Sequence, residues 1–185
     1  GFVRAAEEVR AQTSLSFDHV VCAVGSGGTL AGLVLGPELG PIRGVAVCDD
    51  RAYFSARVRQ IADEAARFGV GPLPEEGPRW EVVEGWQGPA YAVATPAIWE
   101  TMARVARLEG LLLDPVYTGK AMHALCGEVA SGRWGGRLLF WHTGGAFGLF
   151  GRGDELQAFL VALNSQPRHD ETGFQCRQGG LGLFE

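Results

Sequence analysis

The chain has 185 residues and a mass of 19.7 kDa, enough for one domain or two small ones. Hydrophobic residues make up 46% and charged residues 20%, so it can bury a core and does not read as disordered. Net charge is -5 and the basic residues form no tail or dense face, which argues against binding a nucleic-acid backbone. The basic set is lopsided, with Lys120 as the single lysine among arginines. No apolar run approaches the ~20 residues of a membrane span and no signal peptide opens the chain, although Gly1 is not a natural start. Cys22, Cys48, Cys126 and Cys176 have no metal-ligand spacing. Cys22 and Cys48 fall in predicted buried strands, which fits reduced core thiols and a cytoplasmic location.

Residues 3–12 read as a short amphipathic helix rich in Ala, Glu and Arg. DHVVCAVG, 18–25, is apolar and β-branched without alternation, the pattern of a strand buried on both faces. SGGTLAGLVLG, 26–36, reads as a turn opening a helix, and IRGVAVCDD, 42–50, as a second apolar strand. A long helix follows over 51–69, with Asp50 as N-cap and Gly69 as C-cap. Residues 70–94 carry four prolines and read as an ordered surface loop, a plain excursion, with EVVEGW as its one candidate strand. Thr95-Pro96 supplies an N-cap and an N1 proline for a helix ending at Gly110. LLLDPVY, 111–117, bends at Pro115 before a helix over 118–132. RLLFWHTGG, 137–145, is a third buried strand ending in a glycine turn, and 154–163 a last amphipathic helix. The tail is polar, glycine-rich and aperiodic. Strands alternating with helices predict an α/β fold, an open, mostly parallel sheet with flanking helices.

Three places concentrate chemistry. Gly25-Ser26-Gly27-Gly28-Thr29 follows a strand and opens a helix, where bare backbone N–H groups and two hydroxyls suit a phosphate. A plain capped turn needs fewer glycines and hydroxyls than this. A dinucleotide site is the rival: Asp49 and Asp50 end the next strand, but Leu30 stands where the third glycine of GxGxxG belongs. No lysine follows the glycines, so a P-loop is excluded.

The second place is Asp114-Pro115-Val116-Tyr117-Thr118-Gly119-Lys120. Asp114 is suited to tying down the loop, Tyr117 to facing a ligand and Thr118 to capping the helix, against the plainer readings of a core tyrosine and an ordinary cap. Lys120 in a first helical turn opposes the dipole. The third is His142-Thr143-Gly144-Gly145 at a strand exit, with Thr143 as a partner for a ring nitrogen and His142 read as a satisfied core histidine. His19, His123 and His169 show no metal spacing, and no serine sits in a nucleophile elbow.

Taken together, FDHVVCAVGSGGTLAGLVLG, VAVC, EGLLLDPVYTGKAMHAL and LLFWHTGG resemble the C-terminal half of the D-cysteine desulfhydrase / 1-aminocyclopropane-1-carboxylate deaminase family. These are fold-type II, tryptophan synthase β-like lyases that use pyridoxal 5′-phosphate. The resemblance covers residues 1–163, read as the C-terminal part of the cofactor-binding large domain, and leaves 164–185 as a divergent tail. It assigns Gly25, Ser26, Gly27, Gly28 and Thr29 to the cofactor phosphate, Thr143 to the pyridine nitrogen and Tyr117 to a place beside cofactor and substrate. A hydroxyl at the nitrogen, rather than a carboxylate, makes the ring a milder electron sink. The deaminases are similar but carry Glu and Leu at the positions of Thr118 and Thr143, so the pair of threonines favours the desulfhydrase branch.

The resemblance also implies a missing half. The Schiff-base lysine of the family lies N-terminal to the matched region, and Lys120 matches a non-catalytic position. The implied full-length reaction is α,β-elimination of D-cysteine to pyruvate, ammonia and sulfide by a homodimer acting on a small amino acid. The 185-residue chain is expected to be inactive alone. The alternatives are a deaminase or another fold-type II lyase or racemase, a Rossmann-like nucleotide-binding module, and a non-catalytic module for a phosphate ligand.

Overall fold

Apolar β-branched segments alternate with helical ones, and the computed structural model turns that alternation into a parallel sheet covered on both faces. It describes residues 1–165. The elements run α1 (Phe2–Gln12), β1 (His19–Val24), α2 (Gly28–Leu35), β2 (Ile42–Ala46), α3 (Arg51–Ala66), β3 (Trp80–Val83), α4 (Pro96–Glu109), α5 (Thr118–Ala130), β4 (Leu138–Trp141), α6 (Ala146–Phe150) and α7 (Gly153–Ser165). The strand order is β3-β2-β1-β4, and every pairing is parallel. Val20 to Val24 pair in register with Ile42 to Ala46, and His19 to Cys22 with Leu138 to Trp141.

The period of two along β1 divides the core. Val20, Cys22 and Val24 join Leu30, Leu33, Phe54 and Val58 on the side of α1, α2 and α3. Val21 and Ala23 join Ile98, Trp99, Ala121 and Leu125 on the side of α4 and α5. Both faces of β1 are therefore apolar, which is why its sequence shows no alternation. Each fully buried Val or Leu contributes ~1.5–3 kcal/mol.

The ends of the helices follow local chemistry. Asp50 accepts the Tyr53 N–H at 2.8 Å to cap α3. Thr95 caps α4 ahead of Pro96, and Gly110 closes that helix in the left-handed region at φ 68°. Some boundaries move from expectation. α3 stops at Ala66, with Arg67 rather than Gly69 at its C-cap. β2 stops at Ala46 and not at residue 50, because the chain turns there to reach the Asp50 cap. Cys22 is fully buried, but Cys48 lies past the strand and only half-buried, its thiol against the Asp49 carboxylate at 3.1 Å. β3 begins at Trp80, one residue before EVVEGW, and α6 was not anticipated. Residues 164 and 165 close α7, while the rest of the expected tail, with His169 and Cys176, lies outside the described residues. Among the described residues no helix is long and apolar enough to cross a membrane, and no cluster of metal-ligating side chains occurs.

Candidate functional site

The chain leaves β1 toward β2 and β3, then returns to place β4 on the other side of β1. That reversal opens a crevice at the carboxyl edge between β1 and β4, the usual ligand position in open parallel sheets. The β1–β4 register runs to Cys22 opposite Trp141, and each strand leads from there into its glycine turn. The two glycine turns therefore leave adjacent strands at the same edge of the sheet.

The first turn is built as an open anion seat. Gly27 is the N-cap of α2 at φ 87°, a conformation glycine adopts without the Cβ clash other residues meet. α2 has no side-chain cap, and its first backbone bond runs from the Ala31 N–H to the Gly27 carbonyl at 2.9 Å. The N–H groups of Gly28, Thr29 and Leu30 precede that bond and stay without intrahelical partners. A Cβ on Gly28 would meet nothing closer than the Ser26 Oγ at 3.8 Å, so the approach is clear. Ser26 is exposed, Thr29 half-buried, and neither hydroxyl makes a hydrogen bond among the described residues. Open N–H groups at a positive helix end, with free hydroxyls beside them, fit a phosphate.

The start of α5 is the opposite case. Asp114 is buried, and its Oδ1 accepts the N–H groups of Val116 and Tyr117 at 2.8 and 2.7 Å. Its Oδ2 accepts the Thr118 N–H at 2.9 Å and the Thr118 hydroxyl at 2.6 Å. Thr118 is itself buried and accepts the Asp114 N–H at 2.9 Å, so it is not the cap. Tyr117 stands at the N-cap without a side-chain cap, and Asp114 does the capping from three residues upstream.

Tyr117 joins this segment to the glycine turn. A Cβ on Gly25 would lie 2.6 Å from the ring Cε1 of Tyr117, so only glycine leaves room for the ring. The Tyr117 hydroxyl meets the Tyr91 hydroxyl at 2.6 Å, with the rings edge to face at 6.2 Å. That hydrogen bond, then burial, then the nearby Tyr91, Asp114 and Cys48 push the Tyr117 phenol up to about 12. Lys120, one turn on, is wholly buried and donates to the carbonyls of Val47 and Ala90, both at 2.9 Å. Burial pushes its ammonium below the ordinary lysine value, opposed by Cys48.

The third motif closes the group. A Cβ on Gly145 would collide with the Asp114 carboxylate at 2.5 Å, which seats the HTGG turn directly on the α5 cap. The Gly144 N–H donates to His142 Nδ1 at 3.1 Å. The ring proton is then on Nε2, which faces the Leu112 carbonyl at 3.1 Å. His142 is satisfied but only half-buried, and it holds the turn rather than filling the core. Thr143 is exposed, and its hydroxyl has no partner among the described residues. Asp50, one of the two candidate ribose-binding acids of the dinucleotide reading, spends a carboxylate oxygen on its helix cap.

Gly25, Tyr117, Asp114 and Gly145 thus form one continuous set of contacts linking all three motifs. A model of the family described as pyridoxal-phosphate dependent enzyme matches residues 1–144. The chain belongs to that family. Family members use pyridoxal phosphate, and the donor set of the glycine turn suits its phosphate. A putative 1-aminocyclopropane-1-carboxylate deaminase of Thermotoga maritima is 38% identical over 84% of this chain and 50% of its own length. A bifunctional D-cysteine desulfhydrase/1-aminocyclopropane-1-carboxylate deaminase of Arabidopsis thaliana, described as mitochondrial, is 34% identical over 98% of this chain and 46% of its own. A D-cysteine desulfhydrase of Yersinia enterocolitica is 39% identical over 81% of this chain and 47% of its own. The crystal structure of a 1-aminocyclopropane-1-carboxylate deaminase homologue superposes with a TM-score of 0.75 at 36% identity, over 85% of this chain and 49% of that one. The chain spans about half the length of the curated relatives it matches. This pyridoxal-phosphate family member therefore has the open parallel, fold-type II sheet that its sequence implied.

Sequence reasoning missed Tyr91. It lies in the proline-bearing loop read as a surface excursion, and its single signal is an aromatic side chain between glycine- and proline-rich stretches. Asp114 was read as a loop tie, but its reach to both Thr118 and Gly145 depends on tertiary packing.

Proposed function

We propose that this chain is the phosphate-holding half of a pyridoxal-phosphate-dependent lyase that acts on D-cysteine, yielding pyruvate, ammonia and sulfide. The observation that supports it is the run of contacts from the glycine turn through Tyr117 and Asp114 to Gly145, in the turn that carries Thr143. In this reading the N–H groups from Gly25 to Thr29, with the Ser26 and Thr29 hydroxyls, hold the cofactor phosphate. The Thr143 hydroxyl meets the pyridine nitrogen. Bound there, the cofactor supplies an electron sink for bond cleavage at the α-carbon of an amino acid. Tyr117 orients the substrate and keeps its own proton, because Tyr91 and burial hold the phenol in its neutral form.

Branch specificity rests on Thr143. Thr118 is buried and committed to Asp114, so it does not face a ligand. A deaminase acting on 1-aminocyclopropane-1-carboxylate is the second reading, favoured by the names of several relatives. The Schiff-base lysine belongs to the other half of the whole protein, which we propose acts as a homodimer. Lys120 is the chain's one lysine and has its amine buried against two carbonyls.

Two measurements test this. Titration of the chain with pyridoxal phosphate, inorganic phosphate and NAD should show binding of the first two and none of the third; the reverse order overturns the cofactor reading. Supplied with D-cysteine and pyridoxal phosphate, the chain alone should release pyruvate no faster than free cofactor. Joined to a lysine-bearing half, it should turn over D-cysteine in preference to 1-aminocyclopropane-1-carboxylate.

A further inference from the structure

The segment from Gly85 to Ala94 is fixed to the body of the protein at more points than a surface loop requires. Trp86 lies over Gly127 and donates its Nε1 proton to the buried Glu128 carboxylate at 2.8 Å. Gln87 donates to the Asp49 carbonyl at 3.2 Å. Ala90 and Val93 close a turn, with the Val93 N–H on the Ala90 carbonyl at 3.3 Å. Inside that turn Ala92 sits at φ 58°, the only non-glycine residue with positive φ among those described. The left-handed conformation brings the Cβ of an L-residue too close to the following carbonyl and is strained. Strain of this kind persists where the surroundings over-determine the backbone, and it gathers at functional sites.

The surroundings here include Lys120. Its Nζ adds a second hydrogen bond to the Ala90 carbonyl and takes the Val47 carbonyl with it. It makes no ion pair among the described residues. An ammonium buried without a counter-ion is costly, and an apolar side chain of the same length would avoid that cost. Val47 also borders Gly25: its Cγ2 lies 3.6 Å from a Cβ placed there. One amine thus ties the strand exit beside the glycine turn to the turn that carries Tyr91.

We propose that Lys120 is a positioning residue, which holds the Ala90–Val93 turn against the exit of β2 so that the Tyr91 hydroxyl meets the Tyr117 hydroxyl. Its role is mechanical and reaches the crevice only through Tyr91. The purpose of that tyrosine pair rests on the cofactor-site reading, while its geometry does not.

The chain holds three tyrosines, so tyrosinate absorbance followed against pH resolves them. Tyr117 faces Tyr91, Asp114 and Cys48, and in the unaltered chain it should titrate last, at about 12. Lys120→Met should bring that last step down by roughly one pH unit or more, toward the ordinary tyrosine range. Tyr91→Phe should lower it equally, and the double variant no further. A folded Lys120→Met chain whose last tyrosine still titrates near 12 overturns the proposal. Where methionine prevents folding, Lys120→Gln is read by the same criterion. Gln87→Ala removes a different pin and should leave the last step near 12; a full drop there also overturns the proposal. No cofactor enters these titrations. If the unaltered chain then fails to bind pyridoxal phosphate, the cofactor reading falls while the tyrosine result stands.

Discussion

Two helices begin at the same crevice and treat their first turns in opposite ways. At α5 one carboxylate, Asp114, receives three backbone N–H groups and a hydroxyl. At α2 the N-cap is a left-handed glycine with no side chain to offer, and the adjoining hydroxyls are unspent. Both starts carry the positive end of a helix dipole. The first is neutralised from within, whereas the second is left for an anion from outside. A saturated helix start is architecture, and the open one beside it is the site we propose for the cofactor phosphate.

That contrast can be broken most forcefully at Asp114. Asp114→Ala leaves buried donors unpaired and should cost about 3 kcal/mol, read as a lower denaturant midpoint at unchanged slope. A loss near that of a surface substitution would show that α5 does not depend on this cap. Gly27→Ala should cost ~1–2 kcal/mol for the left-handed backbone. It should also weaken pyridoxal phosphate about tenfold, because the N–H groups lose their aim. Intact affinity in a folded Gly27→Ala chain would remove the α2 start from the site.

A third prediction concerns alkaline pH. The Tyr117 phenol ionises at about 12 in the folded chain, against an ordinary value of 10.0. Its contribution to stability is present in full below the ordinary value and is lost as pH rises from there through about 12. Denaturation midpoints across that window should fall less steeply in Tyr91→Phe. The smallest effect is expected for Thr29→Val, which should reduce pyridoxal phosphate affinity about threefold with stability unchanged, since the hydroxyl supports nothing internal. An equal loss of stability would make Thr29 a structural cap and narrow the difference between the two helices.

The strand–helix order, the three motifs and most caps were legible because they depend on local chemistry. β1 announces its double burial by lacking alternation, and Asp50 and Thr95 precede their helices as capping residues do. What escaped depends on distant partners. Thr118 looks like a cap until Asp114 is seen to occupy that role. Lys120 looks misplaced at a helix start until the carbonyls of Val47 and Ala90, far away in sequence, are seen to receive it. Tyr91 has only the faint local signal of an aromatic among glycines and prolines, and the path of its loop brings it to Tyr117.

The parallel pairing of β1 with β4 has a kinetic consequence. The Arg137 N–H donates to the Asp18 carboxylate across a separation of 119 residues, and β4 enters the sheet beside it. Pairings this remote are slow to close, because loop entropy is lost before any contact rewards it. β1 and β2, closer in sequence, are expected to pair before β4 arrives. The edge where β4 joins β1 is therefore expected to be the last part of this sheet to form.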